Sequence, residues 1–546
     1  MRRPEARAWV EALVLALAGA VQTAAYVHTG LWWLTVAAAA LLAWRVGRPG
    51  STRPKHAALL GWAFGTGWLC AGTWWLFISL YTYGGLPGWM AVVAVFLLAA
   101  ALSLYLALAM AVWARWRSGG VWGDAALFAA VWLLAELARG IVFTGFPWVA
   151  SGYSQVDAPL AALAPWVGVY GVGALLACAA ALLAGALGGG RQVGIGAGRS
   201  PVAVAAPVGV ALALLLLPNL AGPVSFSHDA GTISISLLQT NVAQDEKFAA
   251  ERMPESLRWV ADKLQSAHGS LVVAPETAVP LLPADLEEVA PGYWVALRRY
   301  FAQPGRYALV GVPLGDLDIG YTNSVVGLSA ASAPPSVDAG SAAPAGTAPA
   351  PYRYDKVHLV PFGELIPTGF HWFTAMMNIP LGDFTRGPLN APSFDAAGQR
   401  VAPNICYEDL FGEELALRFA DPARAPTLFA NVGNIAWFGD SIAIPQHLQI
   451  SRFRTLEFQR PMVRATNTGA TAIVDHRGRV VASLPSFSRG TLEGNVQGRE
   501  GITPYAWWAA RAGLWPLILL ALAVVGTAVG QAGGRSAGHG RRTSAS

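Results

Sequence analysis

Long apolar stretches alternate with short loops over the first 220 residues, and a further apolar stretch lies after residue 505. A helix of about 20 apolar residues spans the hydrocarbon core of a bilayer, so the pattern predicts a polytopic α-helical membrane bundle. About eight spans are predicted, at 8–26, 30–44, 57–78, 89–113, 122–142, 160–187, 202–220 and 508–530. Residues 1–220 would thus form a membrane domain of seven helices, and 506–546 the eighth helix with a basic tail.

Composition supports this division of the chain. It is 54% hydrophobic and 13% charged, whereas soluble domains carry roughly 25% charged residues. An ordinary soluble enzyme is thereby excluded. The formal net charge is +5, but residues 221–505 contain 27 acidic and 21 basic side chains, so the positive charge lies in the membrane part. The net charge therefore gives no support for a nucleic-acid partner.

Basic side chains of the membrane part lie in alternate loops. Lys and Arg near the ends of spans are retained on the cytoplasmic side, and the loops 27–29, 79–88 and 143–159 contain neither residue. The basic residues of the other loops and of the two ends are Arg2, Arg3, Arg7, Arg45, Arg48, Arg53, Lys55, Arg115, Arg117, Arg191, Arg199, Arg535, Arg541 and Arg542. This pattern predicts cytoplasmic termini and a large domain, 221–505, outside the cytoplasm.

Two features of the membrane part allow more than one interpretation. The basic first residues and the small residues 18–20 are also typical of a cleavable signal peptide. We favour a retained helix because the apolar stretch continues to Val27. Glu136 and Arg139 are spaced to share one face of the fifth span, where they either neutralise each other or have a functional role.

Short apolar runs separated by helical or polar stretches occupy residues 221–505, and this alternation predicts an α/β domain. Strands are predicted at 232–239, 271–274, 308–312, 323–328, 401–406, 427–431 and 471–474, and helices at 251–267, 284–302, 412–420 and 445–459. Residues 329–351 are almost entirely Ser, Ala, Pro and Gly, which favours a flexible surface insertion. Because ligands bind where the strands of α/β folds end, reactive residues are expected there.

Three polar residues at or after predicted strands and the insertion are candidates for catalysis. Cys406 ends a strand and is the single cysteine of the outer domain, Glu276 follows another strand, and Lys356 follows the insertion. Taken singly, each is more often structural. The cysteine would be a small buried hydrophobic residue, the glutamate one partner of a surface ion pair, and the lysine a solvated side chain. Together they supply what acyl transfer through a thioester requires: a nucleophile, a base for its proton and a fixed charge for the oxyanion.

Motifs around these residues resemble those of a known family. APET at 274–277, YDKVHLVPFGE at 354–364 and NICYED at 404–409 are similar, in that order, to the Glu-Lys-Cys motifs of the nitrilase superfamily. GFPW at 145–148, AWFGD at 436–440 and the predicted spans narrow the resemblance to the apolipoprotein N-acyltransferase family. The resemblance covers essentially the whole chain except the insertion and the extreme tail.

This resemblance implies a nitrilase-like αββα sandwich for the outer domain and a set of site residues. The implied roles are general base for Glu276, oxyanion stabiliser for Lys356, nucleophile for Cys406, and supporting contacts for Glu364, Tyr407 and Glu408. The family usually carries Asp where this chain has Ile435. This departure does not change Glu276, Lys356 or Cys406, but it puts in question the contacts of the loop around residue 435.

The resemblance also implies an activity. An acyl chain would pass from a membrane phospholipid, through a thioester on Cys406, to the N-terminal α-amine of diacylglyceryl-cysteine on an apolipoprotein, which is the last step of lipoprotein maturation. The enzyme would lie in the bacterial inner membrane with its catalytic domain on the periplasmic side, and it would need no metal or other cofactor. Histidines such as His447 lack metal-ligand spacing and are interpreted as solvated or core residues.

Two alternatives remain open at the level of sequence. One is a membrane-tethered nitrilase-like amidase or lipid hydrolase, in which water rather than an amine resolves the thioester. The other is a transporter or receptor whose outer domain only binds lipid. They differ from the acyltransferase in what becomes of an acyl group on Cys406.

Overall fold

A computed structural model of the protein describes residues 3–48, 53–189, 201–220, 224–316, 318, 320–332, 351–366 and 384–543. The chain divides into two units. The helical unit comprises Met1–Phe77, Pro87–Val224 and Ala512–Ser546, and the sheet unit comprises Ile78–Leu86 and Ser225–Arg511.

Helices form where the sequence has its long apolar stretches. In the helical unit the longer helices are Arg3–Val21, Trp33–Gly47, Pro54–Thr73, Gly88–Leu102, Leu104–Trp116, Val121–Ile141, Ala164–Ala184, Pro201–Leu220 and Trp515–Thr543. Among the described residues, the segments long and apolar enough to cross a membrane are Ala8–Tyr26, Thr29–Gly47, Gly88–Trp116, Val121–Thr144, Pro159–Gly188, Pro201–Pro218 and Trp515–Ala532. The protein is therefore a multi-pass membrane protein, and these seven segments correspond to all predicted spans but the third.

The third predicted span, 57–78, differs from the others. A helix does form there, at Pro54–Thr73, but its glycines, threonines and tryptophans lower its mean hydropathy, and it is not among the seven segments. A Cβ atom on Gly67 of this helix would clash with the carbonyl oxygen of Ala16. The glycines that lower the mean hydropathy of this helix thus also let a neighbouring helix approach closely.

Glu136 and Arg139 are both buried inside the helical unit. Nη2 of Arg139 lies 3.8 Å from Oε1 of Glu136. Nη1 of Arg139 donates hydrogen bonds to the carbonyl oxygens of Phe146 (3.0 Å) and Trp148 (2.6 Å), and Glu136 accepts one of 2.7 Å from the N–H of Ser151. The two side chains therefore neutralise each other and also fix the loop that follows their helix.

Two six-stranded sheets form the centre of the sheet unit. The strands are β1 (Ser227–Gln239), β2 (Leu271–Val273), β3 (Tyr307–Asp316), β4 (Gly320–Leu328), β5 (Tyr352–Asp355), β6 (Phe394–Ala396), β7 (Gln399–Ile405), β8 (Leu428–Gly433), β9 (Met462–Thr466), β10 (Ala472–Val474), β11 (Val480–Ser483) and β12 (Gly490–Gly501). Their orders are β12-β1-β2-β3-β4-β5 and β11-β10-β9-β8-β7-β6. The neighbours among β1, β2 and β3 are parallel, as are those among β7, β8 and β9.

Alternating side chains on the parallel strands explain the layering of this unit. Leu271 and Val273 lie in the core between the two sheets, whereas Val272 lies in the core beneath the helices. Because both faces are buried, these strands are almost continuously apolar. Helices Met253–Ser266, Pro283–Val289 and Tyr293–Phe301 pack on one sheet, and helices Gly412–Ala416, Ala443–Phe458 and Pro504–Ala512 on the other. The predicted αββα sandwich is confirmed.

Some predicted boundaries were wrong. The helix predicted at 284–302 is two helices, because Gly292 adopts a φ of 73° that interrupts a helix. The eighth span begins at Trp515 rather than at residue 508, since Pro504–Ala512 is a separate helix. Strands β5, β6, β9, β11 and β12 were not predicted. Of the predicted insertion 329–351, residues 333–350 lie outside the described residues.

Candidate active site

The three candidate residues lie just beyond the ends of strands in both sheets. Glu276 follows β2, Lys356 directly follows β5, and Cys406 directly follows β7. Apolar side chains anchor each strand in the core, so the first polar residue beyond it is held at the edge of the sandwich. The three side chains come together there. Lys356 forms an ion pair with Glu276, and the charges of both act on the thiol of Cys406.

Lys356 is the centre of the charged cluster. Its side chain is 1% exposed, and its Nζ lies 3.1 Å from Oε1 of Glu276 and 2.8 Å from Oε1 of Glu364. Burial alone would lower the pKa of Lys356, but the two carboxylates outweigh it and raise that pKa above its usual value. The ammonium is therefore a permanent positive charge.

Glu364 and Glu276 are also linked by an amide that the sequence did not single out. Nδ2 of Asn323, on β4, donates hydrogen bonds of 2.7 Å to Oε1 of each glutamate. Oε2 of Glu364 accepts a further bond of 2.9 Å from the N–H of Val360. Glu364 is thus held by its own loop and keeps both Lys356 and Asn323 in place.

Cys406 sits at a sharp turn between β7 and a short 3₁₀ helix, Cys406–Leu410. Its φ is 52°, in the left-handed region that residues with a side chain seldom adopt. Its side chain is partly buried, and the N–H of Asn434 donates a hydrogen bond to the sulfur. The strained backbone conformation thus lies at the residue that carries the thiol.

The thiol of Cys406 and the carboxylate of Glu276 have opposite pKa shifts. Burial raises the pKa of Cys406 above its usual value, and Glu276 raises it further, against the opposing effects of Lys356 and the Asn434 N–H. Burial would also raise the pKa of Glu276, but Lys356, Lys247 and Asn323 together bring it below its usual value. The resting site therefore pairs a protonated thiol with an ionised carboxylate.

Glu408 links the strand that ends before Cys406 to the loop that carries Lys356. Its Oε1 accepts hydrogen bonds from the N–H groups of Val357 (2.6 Å) and His358 (3.2 Å). Its Oε2 accepts bonds from the N–H of Ile405 (2.6 Å) and the hydroxyl of Tyr354 (2.8 Å). The carboxylate thus fixes the distance between the segments on either side of the site.

Tyr407 is buried beside the candidate nucleophile and packs among aromatic rings. Its ring centroid lies 5.8 Å from that of His358 and 5.3 Å from that of Phe411. Ile435, the position at which the chain departs from the family pattern, is buried next to Asn434. Its carbonyl oxygen accepts a 3.1 Å hydrogen bond from the N–H of Phe438, so the loop forms a 3₁₀ turn with an apolar side chain at this position.

A buried network of polar side chains contacts the turn at Cys406 and stabilises it. Nε2 of His447 lies 3.0 Å from Oδ1 of Asp409 and 3.2 Å from the carbonyl oxygen of Cys406. Oδ2 of Asp409 accepts hydrogen bonds from Nη1 of Arg464 (3.1 Å) and from the hydroxyl of Ser451. His447 was predicted to be a solvated or core residue, and the structure places it in the core with this polar function.

Sequence reasoning missed several residues of the site. Asn323 was placed within a predicted strand, and Lys247 lies in a polar stretch between a strand and a helix. Nothing in their neighbours distinguishes either from a surface residue, because both are buried by segments remote in the chain. Asp409 lies inside the quoted motif NICYED, so the motif carried a signal for this residue.

Within the described ranges, no group of three or more His, Cys, Asp or Glu side chains is arranged to hold a metal ion. The groups that the site does offer are a thiol, carboxylates and ammonium groups. These are suited to nucleophilic and acid–base chemistry.

Comparisons with known proteins match both parts of the chain. Residues 18–182 match the apolipoprotein N-acyltransferase N-terminal domain, and residues 337–505 match carbon-nitrogen hydrolase. The chain is 51% identical over 504 residues to an apolipoprotein N-acyltransferase of Verminephrobacter eiseniae, covering 89% of each protein. It is 45% identical over 525 residues to one of Ralstonia nicotianae, covering 95% of this chain and 94% of the relative. The chain belongs to the apolipoprotein N-acyltransferase family.

Membership of this family makes the protein an acyltransferase enzyme with a carbon-nitrogen hydrolase domain. The match to that domain includes Lys356, Glu364 and Cys406, while Glu276 precedes it. Among solved structures, the chain is similar to a carbon-nitrogen hydrolase from Helicobacter pylori G27 at 15% identity and a TM-score of 0.33. That alignment covers 54% of this chain and 96% of the other.

Proposed function

We propose that this protein transfers an acyl chain from a membrane phospholipid, through a thioester on Cys406, to the N-terminal α-amine of diacylglyceryl-cysteine on an apolipoprotein. The observation that carries the proposal is the buried cluster of the Cys406 thiol, the Glu276 carboxylate and the Lys356 ammonium, in which Nζ of Lys356 lies 3.1 Å from Oε1 of Glu276. Family membership supports the same reaction. Both substrates are anchored in lipid, which is the physical reason for joining a hydrolase-like domain to membrane spans.

In the first half-reaction Glu276 acts as a general base. The proton leaves Sγ of Cys406 for the Glu276 carboxylate while the sulfur attacks the carbonyl carbon of the phospholipid ester. The oxyanion that forms is stabilised by the ammonium of Lys356. When the C–O bond breaks, the lysophospholipid oxygen takes the proton back from Glu276, leaving a thioester and an ionised carboxylate.

In the second half-reaction the α-amine attacks the thioester carbonyl. Glu276 takes a proton from the attacking nitrogen, and Lys356 again stabilises the oxyanion. The C–S bond then breaks, and the thiolate recovers the proton from Glu276. The products are an N-acylated peptide and the original thiol, so the cycle needs no metal or cofactor.

The positions of Glu364, Tyr407 and Glu408 support auxiliary roles in this proposal. Glu364 would keep Lys356 beside Glu276, and Glu408 would keep the loop that carries Lys356 beside the turn at Cys406. Tyr407 would hold the start of the 3₁₀ helix against the aromatic rings next to it. None of the three needs to exchange a proton with the substrate.

The proposed cellular arrangement follows from the loop charges. We place 1–220 and 506–546 in the bacterial inner membrane, with the termini in the cytoplasm and the catalytic domain 221–505 on the periplasmic side. The phospholipid donor and the diacylated apolipoprotein acceptor would both reach Cys406 from the outer leaflet. This sidedness depends on the number of helices that cross the membrane before residue 221.

Labelled phospholipid tests the proposed reaction directly. We expect purified protein in detergent to accumulate an acyl adduct on Cys406, seen by mass spectrometry, and to discharge it when a diacylglyceryl peptide is added. Rapid release of free fatty acid without peptide would instead identify a hydrolase. Cys406→Ser should remove the adduct while leaving thermal stability unchanged, and transfer that survives this substitution would exclude Cys406 as the acyl carrier. Wild-type protein that binds the labelled phospholipid without forming an adduct would support an outer domain that only binds lipid.

A further inference from the structure

A second lysine lies buried beside Glu276. Lys247 is 7% exposed, although it belongs to a polar stretch of turns between β1 and the helix Met253–Ser266. Its Nζ donates hydrogen bonds to the carbonyl oxygen of Glu276 (3.1 Å) and to Oγ1 of Thr277 (2.9 Å). The proposed reaction leaves this ammonium without a role.

The two atoms that Lys247 contacts belong to a strained turn. Thr277 has a φ of 48°, a left-handed conformation that is costly for a β-branched residue. Lys247 bonds to the backbone on one side of that residue and to its side chain. It thereby fixes the turn that determines where the Glu276 carboxylate points.

Lys247 also completes the charge balance of the cluster. The charged groups that act most strongly on Glu276 and on the Cys406 thiol are the ammoniums of Lys247 and Lys356 and the carboxylate of Glu364, and with Glu276 itself they form a cluster of four charges. The cluster is neutral when both carboxylates are ionised, and it stays neutral when a proton moves from the thiol to Glu276. Without Lys247 it would carry a net charge of −1 in both states.

The charge of Lys247 is retained at neutral pH. Burial lowers the pKa of its ammonium to about 8, against the opposing attraction of Glu276 and Cys406. Glu276 and Cys406 are the titratable groups that act on it, and Lys247 in turn helps to lower the pKa of Glu276. The lysine is therefore mostly protonated at pH 7 and acts on both partners of the proton transfer.

We propose that Lys247 is a positioning residue that holds the Glu276 turn and supplies the second positive charge that keeps the general base ionised until it takes the proton of the Cys406 thiol. This inference rests on the proposed roles of Glu276 and Cys406. It assigns no contact between Lys247 and substrate. The lysine acts on the first half-reaction through the orientation and the ionisation of Glu276.

Three substitutions separate the charge of Lys247 from its hydrogen bonds. Lys247→Gln keeps a donor near Glu276 and Thr277 but removes the charge, Lys247→Arg keeps the charge, and Lys247→Met removes both. The measurement is the single-turnover rate of acyl-enzyme formation from labelled phospholipid as a function of pH, with full-length protein in detergent. Thermal unfolding of each variant shows whether it is folded.

We expect the acid limb of the pH profile to move upward by about one pH unit in the Gln and Met variants, since losing a nearby opposite charge raises a carboxyl pKa by about that much. At pH values below the acid limb their rates should fall about tenfold relative to the wild type, because one pH unit is a factor of ten in the ionised fraction of Glu276. Lys247→Arg should keep the wild-type acid limb. The matched control is Lys263→Met, at a partly exposed position of the helix Met253–Ser266, which should match the wild type throughout.

An unshifted acid limb in folded Lys247→Gln would overturn the inference, as would equal loss of rate in the Arg and Gln variants at every pH. Should the Met variant fail to fold, the comparison of Gln with Arg still decides between the two outcomes. A wild-type protein that forms no acyl-enzyme would contradict the proposed function instead. The two failures are thus distinguishable in one experiment.

Discussion

Among the residues of the site, Glu276 is the one proposed to accept and return a proton in both half-reactions. Its carboxylate is 6% exposed yet ionised, because Lys356 and Lys247 outweigh its desolvation. An exposed glutamate would be ionised at neutral pH without help, but water would compete for the thiol proton. Burial among fixed cations gives a base that is both ionised and shielded from solvent.

Removing this base should stop acylation while preserving the fold. Glu276→Gln has almost the same volume but cannot accept the thiol proton, so we expect acyl-enzyme formation to fall by about 10²–10⁴-fold. Mass spectrometry of the Cys406 adduct measures the rate. Glu255→Gln, at an exposed carboxylate, is the control and should match the wild type; an unaffected Glu276→Gln would remove Glu276 from its role as base.

The sequence could identify some site residues but not all of them. Glu276 and Cys406 stand out because an apolar strand stops abruptly before each, and ordered motifs surround them. Asn323 and Lys247 are indistinguishable from surface residues in the sequence. Their burial is produced by packing against segments remote in the chain, which no local pattern records.

At the scale of elements, burial on both faces decides which strands can be predicted. β2 is apolar throughout, and β8 is apolar except for Asn431, because the core between the sheets and the helical layer each take one face. β12 is long but lies at a sheet edge and is largely polar, so it resembles a loop in the sequence. β9 contains a buried arginine, Arg464, which is atypical of a central strand unless a partner neutralises it.

That partner is Asp409, and its removal should destabilise the sheet unit. Asp409→Asn leaves the Arg464 guanidinium buried without its counter-charge, which we expect to cost about 3–5 kcal/mol of unfolding free energy. Thermal or denaturant unfolding in detergent provides the measurement. Asp421→Asn removes an exposed partner of Arg424 and should leave stability unchanged; equal stability of both variants would contradict the prediction.

The effect of Asp409→Asn should also depend on pH in a defined direction. Burial alone would raise the pKa of Asp409, but His447 and Arg464 bring it below its usual value. A carboxyl with a lowered folded-state pKa stabilises the fold above its unfolded pKa of about 3.9, and that contribution is lost as the pH falls through the folded value. The stability difference between wild type and variant should therefore be constant near neutrality and shrink below about pH 4. A difference that grew on acidification would reverse the assignment.

At the scale of the whole molecule, small residues control the assembly of the helical unit. A Cβ atom on Gly67 would clash with the backbone of Ala16, whereas one on Gly209 would meet nothing within 4 Å. We expect Gly67→Ala to destabilise the bundle by about 1–3 kcal/mol, as overpacking does, and Gly209→Ala to have no such effect. The fraction of monodisperse protein after heating in detergent compares them. Equal survival would show that the two helices separate at no cost.

The helix Pro54–Thr73 also determines on which side of the membrane the catalytic domain lies. If it spans together with the seven more apolar segments, the termini and the catalytic domain lie on opposite sides, as the loop charges predict. If it does not span, every later loop changes sides and the catalytic domain becomes cytoplasmic. The side on which the catalytic domain lies therefore depends on this helix, although its mean hydropathy is lower than that of the seven other segments.

Single engineered cysteines can decide between the two topologies. In a protein lacking Cys70, Cys178 and Cys406, we would place one cysteine at Gly120, beside the basic loop after Trp116, or at Ala423, which is exposed in the sheet unit. A membrane-impermeant maleimide applied to intact spheroplasts should label Ala423→Cys at once and Gly120→Cys only after permeabilisation. The reverse order of labelling would show that Pro54–Thr73 does not cross the bilayer. It would also place the reaction on the cytoplasmic side, because sidedness and span count are linked by the parity of the crossings.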